Sequence, residues 1–548
     1  MSFRNFLLGG VALASLTAPA LADDAAILKR LDAMQRMMEL QQKQIAAQRG
    51  EITALKNALK RKGVKIAPVA VAAQDNPAPV PAAPTSIESQ VAQQQVEINS
   101  LIDKFAETED RTRIEKADRP VWSIAGGRPS VTSADGRFAL AIRVLGQYDT
   151  GYFMQGAHAL QLAAANAPDL SSGSNWRRAQ LGVQGKVFGD WNYYFNYEFG
   201  SGASSGNELQ GRIQQAYVEY AGLAPFAFRV GAFPPSANLD DATSAADVIF
   251  LERNAADDLS RNLAGGDGRD GIGVIYAGES VFASLVYTGG KAADSSLFFD
   301  EQQALVSRVS DVFYADDDWK LMASLAGSYV FRGGDATAGK GSARNITLQD
   351  GPELNIDDNS ARLVSTGAIN SESAWNYALE GAAEWRNLYA QGGYLGFGMD
   401  QRTAGARTLS FDGWYVQGTW LLTGESRPYN AANGAFANPK PRIPFSLDSW
   451  GLGAWEIAAR YSDLDLNDRP GVLGSPVPLG GIRGGDQRIF TAALNWYPNG
   501  ALKFSLQWQD DQISRIGTIP AGFGHGAFPN AEVGQNFNTF AFRSQIAL

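Results

Sequence analysis

The chain has 548 residues, no cysteine and only two histidines, His158 and His525. An exported protein of this composition has no disulfide framework, so a closed sheet is the available source of stability. No His/Asp/Glu cluster shows metal-ligand spacing, and the P-loop phosphate cradle is absent. Both histidines fall in segments predicted to be long loops, which leaves a His-based catalytic triad unsupported. We therefore read the chain as no enzyme and as needing no cofactor. Charged residues are only 19% of the total, and the formal charge is -10. That balance excludes a basic nucleic-acid binder on average. Beyond the N-terminal leader, no stretch approaches the roughly 20 apolar residues of a membrane-crossing helix. Any membrane-spanning part must be made of strands.

What is present falls into two textures. Met1 to Ala22 has the form of a signal peptide, with Arg4, an apolar centre from Phe6 to Leu16, and Ala20-Leu21-Ala22 at the cleavage site. Asp23 to Gly63 repeats Leu31, Met38, Ile45, Ile52 and Leu59 every seven residues, which predicts a coiled coil. Val64 to Ser86 is an Ala/Pro-rich linker, and a second heptad segment runs from Ile87 to Arg119. From Val121 to Leu548 the pattern changes to short alternating runs separated by glycine-rich gaps.

The alternation is clearest near the C-terminus. Leu502, Phe504, Leu506 and Trp508 alternate with Lys503, Ser505, Gln507 and Gln509, and Phe540, Phe542 and Ile546 with Ala541, Arg543 and Gln545. A strand with that period has one apolar and one polar face. We read sixteen such strands, starting near Arg137, Trp176, Asp190, Arg212, Phe226, Asp270, Ser280, Ala304, Trp319, Ser373, Leu388, Ser410, Asp448, Asp486, Ala501 and Phe537. Short and long gaps alternate between them, as in an outer-membrane barrel with short periplasmic turns and long outer loops. The stretch Gly424 to Leu447 breaks this rule, being long where a short turn is expected. It is either an error in strand counting or an insertion on the periplasmic side. The expected fold is thus all-β and transmembrane: a 16-stranded antiparallel outer-membrane β-barrel preceded by a helical coiled coil. Tyr193, Phe195, Tyr197, Trp414, Trp420, Trp455, Tyr461 and Trp496 supply aromatic belts on the lipid side.

The same register assigns the lumen. It turns inward Arg143, Arg178, Lys186, Arg229, Arg308, Lys320, Arg332, Arg386, Arg460, Lys503 and Arg543, against Asp149, Glu198, Glu219, Glu380, Glu384 and Glu456. A cation on the lipid face at mid-membrane would cost about 2–4 kcal/mol, which enforces this choice. A basic lining favours small anions. Pro234 to Arg269 is the predicted constriction loop, where Asp240, Asp241, Asp247 and Glu252 would face the basic strands and set up a transverse field. If they face the permeant ion instead, anion preference weakens.

Several stretches resemble one family, the phosphate-selective porin O and P family of Gram-negative outer membranes. They include W-R-R-A-Q-L-G-V-Q-G from Trp176, W-N-Y-Y-F-N-Y-E-F from Trp191, A-Y-V-E-Y-A-G from Ala216 and F-R-V-G-A-F-P-P from Phe228. F-L-E-R-N-A from Phe250, G-R-D-G-I-G from Gly268, G-E-S-R-P-Y-N from Gly424 and A-W-E-I-A-A-R-Y-S-D-L-D-L-N from Ala454 follow, then L-N-W-Y-P-N from Leu494. The resemblance implies a trimeric barrel passing small anions by passive diffusion. It also points to the paired arginines Arg177 and Arg178, with Arg229 and Arg253 as further candidates. The alternation itself turns only Arg178 inward. The expected partners are outer-membrane lipid, small anions, two further copies of the chain and, through the coiled coil, the periplasm or cell wall. A pore for sugars or other nutrients, and a barrel serving as an anchor, are the competing readings. Tyr148, Tyr194, Tyr217 and Tyr415 are the residues that keep the sugar pore open.

Overall fold

A computed structural model describes residues 119–156, 169–200, 211–292, 299–356, 362–448, 450–519 and 526–548, together with isolated helical residues between 96 and 107. The predicted leader, the first coiled coil, the linker, most of the second heptad segment and both histidines lie outside the described residues.

Sixteen antiparallel strands form one closed barrel. In chain order they are β1 (Ala139–Gln155), β2 (Gly173–Val187), β3 (Trp191–Glu198), β4 (Arg212–Leu223), β5 (Phe226–Ala232), β6 (Arg269–Ala277), β7 (Val281–Lys291) and β8 (Gln303–Ala315). Then come β9 (Trp319–Arg332), β10 (Ile369–Trp385), β11 (Leu388–Gln401), β12 (Leu409–Leu421), β13 (Ala454–Asp468), β14 (Ile482–Tyr497), β15 (Leu502–Ser514) and β16 (Asn536–Ala547). Each strand pairs with its sequence neighbour, and β16 closes on β1 from Phe537↔Gln155 to Ala547↔Leu145. Closure leaves no barrel strand with an unpaired edge, the requirement for a sheet in hydrocarbon. All sixteen expected strands are present. The largest displacement of a start is at β13, which begins at Ala454 rather than near Asp448, because the preceding insertion runs on to Gly453.

Outward positions carry the apolar residues, as the period demands. On β16 Phe540 and Ile546 are exposed, while Thr539, Ala541, Arg543 and Gln545 are buried. At the short-turn rim Trp191, Trp319, Trp385 and Trp420 face outward, level with the paired Trp455 and Trp496. Together they form the aromatic girdle that marks a bilayer interface.

Among the described residues, three connections fold into the lumen. The first, between β5 and β6, holds α1 (Leu239–Ala242) and α2 (Ala255–Ala264), with Asn238 and Asn254 as side-chain N-caps. Ala255, Ala256, Leu259, Leu263 and Ala264 are buried on one side of α2. They pack against an apolar patch of the inner wall that includes Val306, Val330, Leu395, Phe397, Met399, Leu409 and Leu464. So the lumen face is apolar on one wall, and this patch fixes the loop. The second connection, between β9 and β10, brings in Glu353. This carboxylate accepts from the Ala255 amide (2.9 Å) and the Ser462 hydroxyl (2.6 Å) and pairs with Arg460 (2.5 Å).

The third connection is the long one between β12 and β13. It lies at the short-turn rim, so it is an insertion there and the strand count stands. Arg427 enters the lumen and pairs with Glu456 of β13 at 2.6 Å, with both side chains buried. Arg308 of β8 donates to the Asn433 carbonyl at 2.9 Å, and Phe436 packs on Tyr389. The insertion also meets the first loop: Arg427 donates to the Asp247 carbonyl (2.9 Å), and Asn438 to the Ala246 carbonyl (2.6 Å).

Candidate permeation site

With one wall covered by α2 and the insertion, the open part of the lumen lies along β1 to β5. Two cavities lined by described residues lie there. A cavity of about 660 Å³ opens toward the short turns and is lined by Arg128, Arg143, Arg178, Arg229, Arg253 and Arg261 against Asp241, Asp247 and Asp267. A cavity of about 310 Å³ opens toward the long loops. There Arg177, Arg178, Arg212, Arg253, Arg261 and Arg362 are matched by Glu198, Glu252, Asp258, Asp267, Asp350 and Glu353. Arg178, Arg253, Arg261 and Asp267 line both cavities. Three cations and one acid therefore stand where the two spaces meet.

The wall side of this junction depends on a β-bulge. Gln147 of β1 faces Arg178, but Tyr148 faces Trp176, so Arg177 is the extra residue. A bulge resets the alternation and lets two successive side chains reach the same face. Trp176 is turned outward, while Arg177 reaches the loop and grips Glu252 through Nε (2.6 Å) and Nη2 (2.9 Å). The expectation that only Arg178 points inward is thus corrected: an uninterrupted period of two does not hold here. Arg178 donates to Gln147 at 2.7 Å and lies 3.9 Å from Glu252.

The loop side is built by α2 and its flanks. Because α2 commits its apolar stripe to the wall, Arg261 emerges on the other side. It pairs with Asp241 at 2.6 Å and Asp267 at 2.5 Å. Arg253 donates to the carbonyls of Asp240 (3.2 Å) and Thr243 (2.9 Å) and lies 4.0 Å from the Asp240 carboxylate. Burial alone would push the Glu252 and Asp267 carboxyls up. Arg177, Arg178 and Arg543 outweigh it at Glu252, and Arg261 and Arg178 do so at Asp267, holding both well below the usual carboxylate range.

The remaining predicted residues divide clearly. Arg143 lines the larger cavity, donating to Gln184 at 3.0 Å with its guanidinium 5.4 Å from the Tyr194 ring centre. Arg229 lies over Tyr217 at 4.3 Å and pairs with Glu219 at 2.7 Å. Arg460 and Arg543 are buried clamps on the folded-in loops: Arg460 holds Glu353 and the Glu252 carbonyl, and Arg543 holds Asp149 and the Leu251 carbonyl. Lys186 lines neither cavity, and Lys320 is paired with Glu384 at 2.6 Å. Two inward assignments are corrected. Arg386 sits in the short turn after β10, paired with Asp318 at 2.9 Å and exposed. Arg332 ends β9 and pairs with loop residues Asp300 and Asp335.

The four loop acids do not form a bare row across the pore. Asp240 and Asp241 lie in the buried α1, Glu252 is bound to the wall arginines, and Asp247 accepts from the Asn438 amide at 3.2 Å. The loop turns Arg253 and Arg261 to the open space along with Asp241 and Asp247, which line the larger cavity. Arg261 and Asp267 were not singled out from the sequence. The usable signal was the Asn254 cap followed by apolar residues at 255, 256, 259 and 263, a helical stripe that excludes Arg261.

A family model described as phosphate-selective porin O and P matches residues 159–522. Porin O from Pseudomonas aeruginosa is 26% identical over 356 residues, covering 62% of this chain and 77% of that protein. An uncharacterized protein from Caulobacter vibrioides is 26% identical over 486 residues, covering 86% of this chain and 85% of that one. Among solved structures, the anion-selective porin from Comamonas acidovorans aligns over 75% of this chain and 100% of its own, with 10% identity and a TM-score of 0.43. OmpT from Vibrio cholerae aligns over 75% and 98%, with 9% identity and a TM-score of 0.43.

Proposed function

The chain belongs to the phosphate-selective porin O and P family, and on that premise we propose that this outer-membrane porin passes small anions, phosphate among them, by passive diffusion along β1 to β5. The observation that carries this reading is the junction of the two cavities, lined by Arg178, Arg253, Arg261 and Asp267, with Glu252, Asp240 and Asp241 within 4.0 Å of one or another of these guanidinium groups. Fixed guanidinium groups in a narrow, partly desolvated passage lower the energy of an anion and raise that of a cation. The cavity toward the short turns adds Arg128, Arg143 and Arg229, giving six arginines against three aspartates. The cavity toward the loops is balanced, six against six, so an anion coming from that side gains most of its stabilisation at the junction. Arginine suits a phosphate or carboxylate because its donors match two oxygens at once.

The finer parts of the proposal rest on sequence. The heptads of 23–63 and 87–119 would place a coiled coil in the periplasm, and the family resemblance together with that coil supports three copies per assembly. The deciding experiment is the reversal potential of the purified porin in a planar bilayer under a chloride gradient, followed by phosphate addition. The expected result is an anionic sign, with phosphate reducing the chloride current. A cationic or zero reversal potential overturns the anion reading.

A further inference from the structure

The insertion between β12 and β13 has a second part that does not enter the lumen. Residues 443–448 and 450–452 lie at its tip, where Ser446 bridges to Gly451 and Trp450 is in the left-handed region at φ 53°. Ile443, Leu447, Trp450 and Leu452 are exposed, Leu447 by 82% and Trp450 by 86%. A water-facing turn gains nothing from such a cluster.

The contacts of this tip say which side of the wall it occupies. Phe445 packs edge-on against Trp496 at 5.2 Å, and its amide donates to the Pro498 carbonyl at 2.7 Å. The Leu452 carbonyl accepts from both indole nitrogens, Trp455 Nε1 at 3.1 Å and Trp496 Nε1 at 2.9 Å. Trp496 in turn stacks on Trp455 and on Phe504, both at 5.5 Å. These rings belong to the outward girdle at the short-turn rim. The tip is therefore a continuation of the lipid-facing surface. Just before it, Arg442 is exposed and donates to the Gly424 carbonyl.

We propose that this tip is an interfacial membrane anchor, with Leu447, Trp450 and Leu452 inserted among the lipids of the leaflet at the short-turn rim. An exposed tryptophan flanked by aliphatic side chains, continuing an aromatic girdle, favours that depth. One end of the same insertion occludes the lumen through Arg427, so the anchor ties the occluding segment to the bilayer edge.

The absence of cysteine makes the test clean. L447C is labelled with an environment-sensitive fluorophore in the full-length porin reconstituted in phospholipid vesicles, with D317C in the 316–318 turn as the water-exposed control. Expected are strong quenching by shallow spin-labelled lipids and severalfold weaker quenching by aqueous iodide than at the control. Iodide access equal to the control overturns the proposal. Protection from both quenchers also overturns it, since protein then covers the tip. A label-free check uses brominated lipids: W450F should remove part of the tryptophan quenching seen in the wild type, and an unchanged quenched fraction counts against insertion.

Discussion

The Arg177 guanidinium holds the Glu252 carboxylate by two parallel hydrogen bonds of 2.6 and 2.9 Å, joining strand β2 to the folded-in loop. Arg543 adds a contact to the same carboxylate at 3.0 Å. Removing Glu252 leaves these cations facing each other. E252Q should destabilise the barrel by about 3 kcal/mol, the usual scale for breaking one side of a buried pair. Urea unfolding of the reconstituted protein measures it.

The pH dependence follows from the same carboxylate. Its pKa in the fold lies well below the value of about 4.3 expected in the unfolded chain. The ion pairs therefore contribute fully above that unfolded value, and the contribution shrinks as pH falls from there toward the depressed folded value. The stability gap between wild type and E252Q should be constant from pH 8 to 5 and narrow below about pH 4. A gap that already narrows at pH 6 would place the effect elsewhere.

Selectivity should respond to the junction more than to a paired cation that lines neither cavity. R178A and R261Q are expected to move the reversal potential toward cations and weaken phosphate block severalfold. K320A, whose target lies beside Glu384 and lines neither cavity, should leave both unchanged. Equal effects of all three would argue against a localised filter.

Arg427 and Glu456 secure the insertion inside the lumen. R427M leaves Glu456 buried and unpaired, so it should lower stability by about 3 kcal/mol and raise single-channel conductance as the insertion loosens. The double variant R427M/E456Q should regain part of the stability while conductance stays high. Single-channel recording combined with thermal unfolding separates the two effects.

Leu259 anchors α2 to the apolar wall and is 2% exposed. L259A should cost about 2–4 kcal/mol and make the current noisier, since the loop that carries Arg253 and Arg261 loses its footing. Noise analysis at constant voltage reads this directly.

Much of the fold was legible because a barrel in lipid leaves little freedom. Every backbone group must pair within the sheet, so each strand must alternate, and a cation on the outer face is too costly. That constraint alone locates β15 and β16, the inward positions of Arg178, Arg229 and Arg543, and the rim tryptophans Trp420, Trp455 and Trp496. It works residue by residue and needs no knowledge of partners.

Tertiary structure decided the rest. Alternation cannot register an extra residue whose only trace is a changed pairing, so the bulge that brings Arg177 beside Arg178 was invisible. Nor does inward orientation say whether a cation meets water or another chain segment. Arg143 faces an open cavity, while Arg460 and Arg543, equally inward, are covered by the loops they clamp. Away from the bulge and the strand ends, the sequence determined which residues face the lumen, because that depends on local period and the cost of lipid exposure. The three connections that fold inward determined which of those residues line the passage, because filling a lumen depends on contacts between segments far apart in the chain.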